Sequence, residues 1–130
     1  MRSFKVSHAA RLLGVSDDTV RRWIDQGILP TTDTSPVEIP GTALAVRASE
    51  LAAASEDPSD VLSSARNRFV GLVTRVQIDG VMAQVDIQAG PHRVVSLMTA
   101  ESARDLALEP GSLAVAVVKA TTVIVETPKD

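Results

Sequence analysis

The feature that most constrains this chain is a change of hydrophobic period. Val20, Trp23 and Ile24 recur at i, i+3, i+4, the spacing of a helix face, whereas Val81, Ala83, Val85 and Ile87 alternate with Met82, Gln84, Asp86 and Gln88, the spacing of a half-buried strand. Between the two patterns lies Ser55-Glu56-Asp57-Pro58-Ser59-Asp60, which is acidic and poor in helix formers. The 130 residues permit one ordinary domain or two very small ones, and this division selects two. Charge follows the same partition. Residues 1–32 carry five Lys or Arg against three carboxylates, residues 33–63 carry only Arg47 against six, and the remainder carries seven of each. The expectation is an α+β protein of two small domains, residues 1–55 and 63–130, joined by a linker over residues 56–62.

Composition narrows the classes. Phe4, Trp23 and Phe69 are the only aromatic residues, so both cores must be built from Val, Leu, Ile and Ala. No apolar run reaches the ~18 residues of a membrane span, and the first residues lack the apolar stretch of a signal peptide. With no cysteine, disulfides and thiolate metal sites are excluded. A cytoplasmic protein is expected. A net charge of −3 argues against a general nucleic-acid binder.

The first module reads as two short helices around a tight turn. Ser7 is placed as the cap of the first, which Ala9, Ala10, Leu12 and Leu13 carry, and Gly14 ends it. Ser16 caps the second, with Asp17 and Asp18 in its first turn, and Gly27 closes it. A helix pair of this kind, with Thr and Arg facing outward on the second helix, is a helix-turn-helix that can enter a major groove. Arg21 and Arg22 can reach guanine or phosphate, and Ser16 and Thr19 phosphate. The run Ala9-Ala10-Arg11-Leu12-Leu13-Gly14-Val15-Ser16-Asp17-Asp18-Thr19-Val20-Arg21-Arg22-Trp23, with Arg47-Ala48-Ser49-Glu50-Leu51 later, resembles the winged helix-turn-helix of MerR-type regulators and phage excisionases. The resemblance implies binding to double-stranded DNA and adds Arg47 to the contact set. Pro40-Gly41 suits the tip of the wing hairpin, but Thr42, Ala43, Leu44 and Ala45 stand where that family carries basic residues.

The second module reads as five strands and one short helix, an OB-like β-barrel. Asp79-Gly80 marks a two-residue hairpin, Thr99 caps the helix, Pro110-Gly111 turns the chain, and Thr122-Val123-Ile124-Val125-Glu126 supplies the last strand. With Phe69 alone, the barrel has almost none of the aromatic residues on which single-stranded nucleic acids stack. It does carry donors at element ends: Ser64 and Arg66 before the first strand, Thr99 and Ser102 on the first turn of the helix, and Lys119 at the end of a long apolar strand. Helix N–H groups at such a turn suit an anion.

Ser64-Ala65-Arg66-Asn67-Arg68-Phe69-Val70-Gly71, Leu97-Met98-Thr99-Ala100-Glu101-Ser102, Leu108-Glu109-Pro110-Gly111 and Val118-Lys119-Ala120-Thr121-Thr122-Val123-Ile124 together resemble a molbindin, the Mop or TOBE domain. The resemblance implies binding of molybdate or tungstate at subunit interfaces, with no organic cofactor. By the same resemblance Ser64, Ala65, Arg66, Lys119 and Ala120 come from one subunit, and Thr99, Ala100 and Ser102 from its neighbour. A homo-oligomer follows, a dimer at minimum, and the resemblance also allows a hexamer built as a trimer of dimers. The chemistry agrees: molybdate is a tetrahedral dianion that only accepts hydrogen bonds, and hydroxyls, amides and one ammonium only need to donate. Hydrogen phosphate must also donate, and the set offers it no carboxylate partner.

An enzyme is not expected, because His8 and His92 lie in different modules and no metal-ligand spacing occurs. Two functions are consistent with the sequence. One is a molybdate-sensing transcription regulator. The other is a cytoplasmic molybdate store whose head is a weak DNA-binding or partner-binding element.

Overall fold

The computed structural model describes residues 2–52 and 56–129. Contacts divide the chain into two compact units, Met1–Ala53 and Ala54–Asp130. The boundary drawn from sequence at residue 55 lies outside the described residues.

The first unit opens with β1 (Ser3–Lys5), which runs directly into α1 (Val6–Leu13), followed by α2 (Asp17–Asp25), β2 (Glu38–Pro40) and α3 (Gly41–Leu51). Because a strand feeds α1, Lys5 occupies the cap position with no side-chain hydrogen bond, and Ser7 sits inside the first turn rather than capping it. Gly14 stops α1 at φ +70°, a conformation that a Cβ would strain. Ser16 then caps α2 as expected, its hydroxyl accepting the Thr19 N–H at 3.1 Å. The core joins Ala9, Ala10, Val20, Trp23, Leu29, Ile39 and Leu44. Fully buried side chains such as Val20 and Ile39 each contribute about 1.5–3 kcal/mol by leaving water. Leu12, expected to help carry α1, points outward at 57% exposure.

The wing hairpin expected at Pro36–Val46 does not form. Phe4 pairs with Ile39 and Lys5 with Glu38, so the 38–40 segment is drawn onto β1. Pro40-Gly41 thereby becomes a junction: the Gly41 N–H donates to the Arg2 carbonyl at 2.8 Å and α3 starts there.

The second unit is a curled antiparallel sheet in the order β5-β4-β3-β6. Its strands are β3 (Asn67–Asp79), β4 (Met82–Ala89), β5 (His92–Thr99) and β6 (Leu113–Val118), with α4 (Ala100–Asp105) between the last two. β3 serves two partners. Residues from Leu72 onward pair with β4, and residues up to Leu72 pair with β6. A register irregularity between Val73 and Arg75 marks the bend just past this exchange. Gly71 makes the exchange possible, since a Cβ there would stand 2.4 Å from the Gln88 carbonyl oxygen. Inside the curl, Val73, Val85 and Ile87 pack with Val76, Val94, Met98, Leu108, Ala114 and Ala116. The alternation expected in β4 holds for Ala83, Val85 and Ile87, all buried, but Val81 lies in the turn at 79% exposure.

The α+β class and the OB-like sheet are as expected, with one difference. Residues 123–126 pair with no strand among the described residues. A single 3-10 turn, Ala120–Thr122, takes the chain off the end of β6, and Val123, Ile124 and Val125 are 47%, 85% and 88% exposed.

Candidate oxyanion site and nucleic-acid interface

Two groups of donors can be traced to the ends of β3. At its first end, Asn67 pairs with Val118, so the approach to β3 and the exit from β6 lie side by side. The Asn67 side chain donates to the Val118 carbonyl at 3.2 Å and clamps that junction. Ser64, Ala65 and Arg66 enter here, Ser64 and Arg66 exposed, and Lys119 and Ala120 leave here, both exposed. The Lys119 carbonyl accepts both the Thr122 N–H at 2.9 Å and the Thr122 hydroxyl at 2.8 Å, so its backbone is held while its ammonium stays in solvent.

The second group stands at the other end. Thr99 pairs with Met82, which pairs with Asp79, the last residue of β3. From Asn67 to Asp79 the extended strand runs about 40 Å along its own path at ~3.3 Å per residue. One chain therefore brings Ser64–Arg66 together with Lys119–Ala120, and does not bring Thr99 and Ser102 to them along this sheet. Thr99 caps α4: its hydroxyl accepts the Ser102 N–H at 3.1 Å and donates to the Ser102 hydroxyl at 2.8 Å. The Ser102 hydroxyl, exposed and accepting from Thr99, keeps its own proton to donate.

Ala100 corrects the expectation. It is 3% exposed and its N–H donates to the Val81 carbonyl at 2.7 Å, so it seats α4 against β4 and has no amide to spare for an anion. The α4 half also carries Glu101 in its first turn and so brings no net positive charge. The cations, Arg66 and Lys119, belong to the other half.

Sequence reasoning did not single out Asp57. Its carboxylate accepts from Arg68 Nε at 2.7 Å and from the Ser59 N–H at 2.8 Å. The Arg68 hydrogen bond, then the Ser59 bonds, hold its pKa down at about 2. The acidic joint is thus tied to the first strand of the sheet, and the Asp57-Pro58-Ser59 turn signal was the only hint of it. Asp86 is similar: buried on the sheet, it accepts from Gln84 at 3.1 Å and from Arg93 at 2.7 and 3.0 Å, and these bonds lower its pKa in that order.

In the first unit, α2 presents Thr19, Arg21 and Arg22 beside the Ser16 cap. The Ser16 and Thr19 hydroxyls lie 2.9 Å apart. Arg21 and Arg22 are exposed, and Arg21 has only a long 3.9 Å contact with Asp18. Both guanidiniums are available to a polyanion. Arg47 is not placed with them. Its guanidinium stacks 4.3 Å over the Trp23 ring and pairs with Glu50 at 3.2 Å, with its side chain 18% exposed. The Arg47 counted as a DNA contact is used to pack α3 on α2.

Comparison with known proteins bears on both units. A model of the helix-turn-helix domain matches residues 3–54, and a model of the TOBE domain matches residues 63–125. The chain joins a helix-turn-helix domain to a TOBE domain. Its TOBE half resembles the molybdate-binding protein of Sporomusa ovata, with 31% identity and a TM-score of 0.50 over 52% of this chain and all of that one. It also resembles the molybdate-bound cytoplasmic protein ModG, with 36% identity and a TM-score of 0.52 over 55% of this chain and 52% of that one. Among curated proteins, the molybdenum transport protein ModE of Herbaspirillum seropedicae is 36% identical over 66 residues. That match spans 50% of this chain and only 24% of ModE. Among the described residues, no helix is long and apolar enough to cross a membrane.

Proposed function

We propose that this protein is a cytoplasmic, molybdate-responsive transcription regulator. Its TOBE domain takes molybdate or tungstate between subunits, and its helix-turn-helix binds double-stranded DNA. The observation that carries this reading is the separation of two unlike half-sites along β3. The hydroxyl half carries no net positive charge, with Thr99 donating to Ser102 and Ser102 keeping its own proton to donate; the cationic half holds Ser64, Arg66 and Lys119. Each half is incomplete alone, and a second copy completes both. A tetrahedral dianion then meets hydroxyls on one side and one or two cations on the other, all of them donors. Sulfate shares the charge and the acceptor chemistry, so size must separate it. The relatives of the TOBE half that are named for molybdate support the ligand class.

On the DNA side, Ser16, Thr19, Arg21 and Arg22 form the contact set. The absence of a wing hairpin and the engagement of Arg47 with Trp23 favour the second reading, a molybdate store with a weak head. Calorimetric titration with molybdate, tungstate and sulfate, paired with DNA binding with and without the anion, separates the readings. Tight molybdate binding that changes DNA affinity supports the regulator. Tight binding with DNA affinity absent or unmoved supports the store. No molybdate binding overturns both.

A further inference from the structure

A carboxylate of the chain's own already sits beside the cationic half-site. Asp57 Oδ2 accepts from Arg68 Nε at 2.7 Å, and Asp57 Oδ1 accepts from the Ser59 N–H at 2.8 Å. The two side chains are 24% and 32% exposed, so salt screens the pair less than an open surface pair. Pro58 and Ser59 continue the turn onto the sheet, where they line a cavity together with Val117 and Val118 of β6. Arg68 pairs with Val117 as Asn67 pairs with Val118. Arg66 lies two residues before Arg68. Lys119 lies two residues after Val117, its backbone still extended at φ −66°, ψ 133°. Side chains two apart in an extended chain share a face, about 7 Å from one another. Arg66, Arg68 and Lys119 therefore gather on one face at one end of the sheet. Of the three, Arg68 alone holds a carboxylate among the described residues.

We propose that Asp57 is a tethered competitor for the oxyanion: a dianion entering beside Arg66 and Lys119 takes over the Arg68 guanidinium, and the Asp57-Pro58-Ser59 turn lets go of the sheet. Asp57 then sets the affinity of the site, and Arg68 is its third cation. The inference rests on the proposed function, from which it takes the anion site. The exchange is chemically even-handed, because a guanidinium offers the same N–H donors to a carboxylate and to a tetrahedral oxyanion. Charge decides it. The incoming anion carries two charges against one, and a carboxylate left within about 7–10 Å of it is repelled. With its pKa held at about 2 by Arg68 and Ser59, the competitor is fully charged at neutral pH. The Ser59 bond lies within the turn and survives release, so the loss is confined to the Arg68 contact. The turn leads back along the chain to the head, which gives occupancy of the site a physical path to the DNA-binding unit.

The test uses the full chain at neutral pH with molybdate as the probe. Asp57→Asn keeps the shape and the Ser59 bond but removes the charge. Asp60→Asn removes an equal charge from the same joint. By calorimetry D57N should bind molybdate about three- to tenfold tighter, the effect of one charge removed from the neighbourhood of a dianion near the surface, and D60N should match the parent within about twofold. Endoproteinase Glu-C, which cuts after glutamate, reads the turn. Cleavage after Glu56, identified by fragment mass, should be at least about threefold faster in the parent with saturating molybdate than without, as local release exposes the chain. In Arg68→Ala that cleavage should be fast in both conditions. The inference is overturned by D57N affinity no tighter than the parent's, by D60N tightening as much as D57N, or by Glu56 cleavage in the parent that saturating molybdate leaves unmoved. A parent that does not bind molybdate overturns the proposed function and this inference together. A parent that binds while these readouts stay put overturns the inference alone.

Discussion

Gly71→Ala tests the architecture that sets the two half-sites apart. A methyl group at this position would stand 2.4 Å from the Gln88 carbonyl oxygen, 2.8 Å from its carbon and 3.0 Å from Ala89 Cα. Ordinary contacts lie at about 3.5 Å, so β3 and β4 must move apart by roughly 1 Å. All three neighbours are backbone, and no rotamer change relieves them. Overpacking of this kind costs about 1–3 kcal/mol, and one or two weakened ladder bonds add about 1 kcal/mol each. A total of about 2–4 kcal/mol should lower the melting temperature of a unit this size by roughly 10–25 °C. The assay is a thermal scan with two probes: far-ultraviolet circular dichroism for the sheet and Trp23 emission for the head, which holds the chain's one tryptophan. The sheet transition should fall and the Trp23 transition should stay. A sheet transition within about 3 °C of the parent refutes the close-approach argument. An equal fall of both transitions refutes the independence of the two units.

Lys119→Ala should weaken molybdate binding about 10- to 100-fold, the effect of one charge-assisted hydrogen bond, and Ser102→Ala about 2- to 10-fold, both with unchanged circular dichroism; calorimetry reads both. Arg22→Ala should lower DNA affinity about tenfold at low salt and leave molybdate binding alone, measured by fluorescence anisotropy. Arg47→Ala should destabilise the head by about 1–2 kcal/mol and shift Trp23 emission to the red; a stable head with reduced DNA affinity would instead return Arg47 to the DNA contacts. Asp57 has a folded pKa of about 2, below the ordinary carboxylate value, so its contribution to stability is present above about pH 4 and is lost as pH falls toward 2. Carboxyl NMR titration should find that low midpoint, and Arg68→Ala should raise it part of the way toward the ordinary value, the Ser59 bonds remaining.

How much was legible follows from the range of each interaction. The α1–turn–α2 head could be read because its signals are local: Gly14 at positive φ, Ser16 on the Thr19 N–H, and the Val20–Trp23–Ile24 stripe each depend on residues within four positions. The Thr99 cap and the β-hairpin turns are local in the same way. The wing and the fifth strand misled for a shared reason. Pro40-Gly41 and Thr122–Glu126 have the right composition for a hairpin tip and a strand, but pairing decides their state. Ile39 pairs with Phe4, 35 residues away in sequence, and Ile124 finds no partner among the described residues.

The chain by itself therefore determined the division into two units, the helix-turn-helix, the alternating strands and the types of donor at their ends. Periodicity, capping and turn chemistry act over a few residues, and composition alone excludes thiolate sites and aromatic stacking surfaces. Tertiary structure decided which donors meet. The exchange of β3 from β4 to β6 at Leu72, with Gly71 tight against Gln88, sets Ser64–Arg66 beside Lys119 and leaves Thr99 and Ser102 at the far end. It also took Arg47 for Trp23, Ala100 for the core and Asp57 for Arg68. Each of those outcomes is a competition among partners distant in sequence, settled by which contact removes more apolar surface from water or leaves fewer polar groups unpaired.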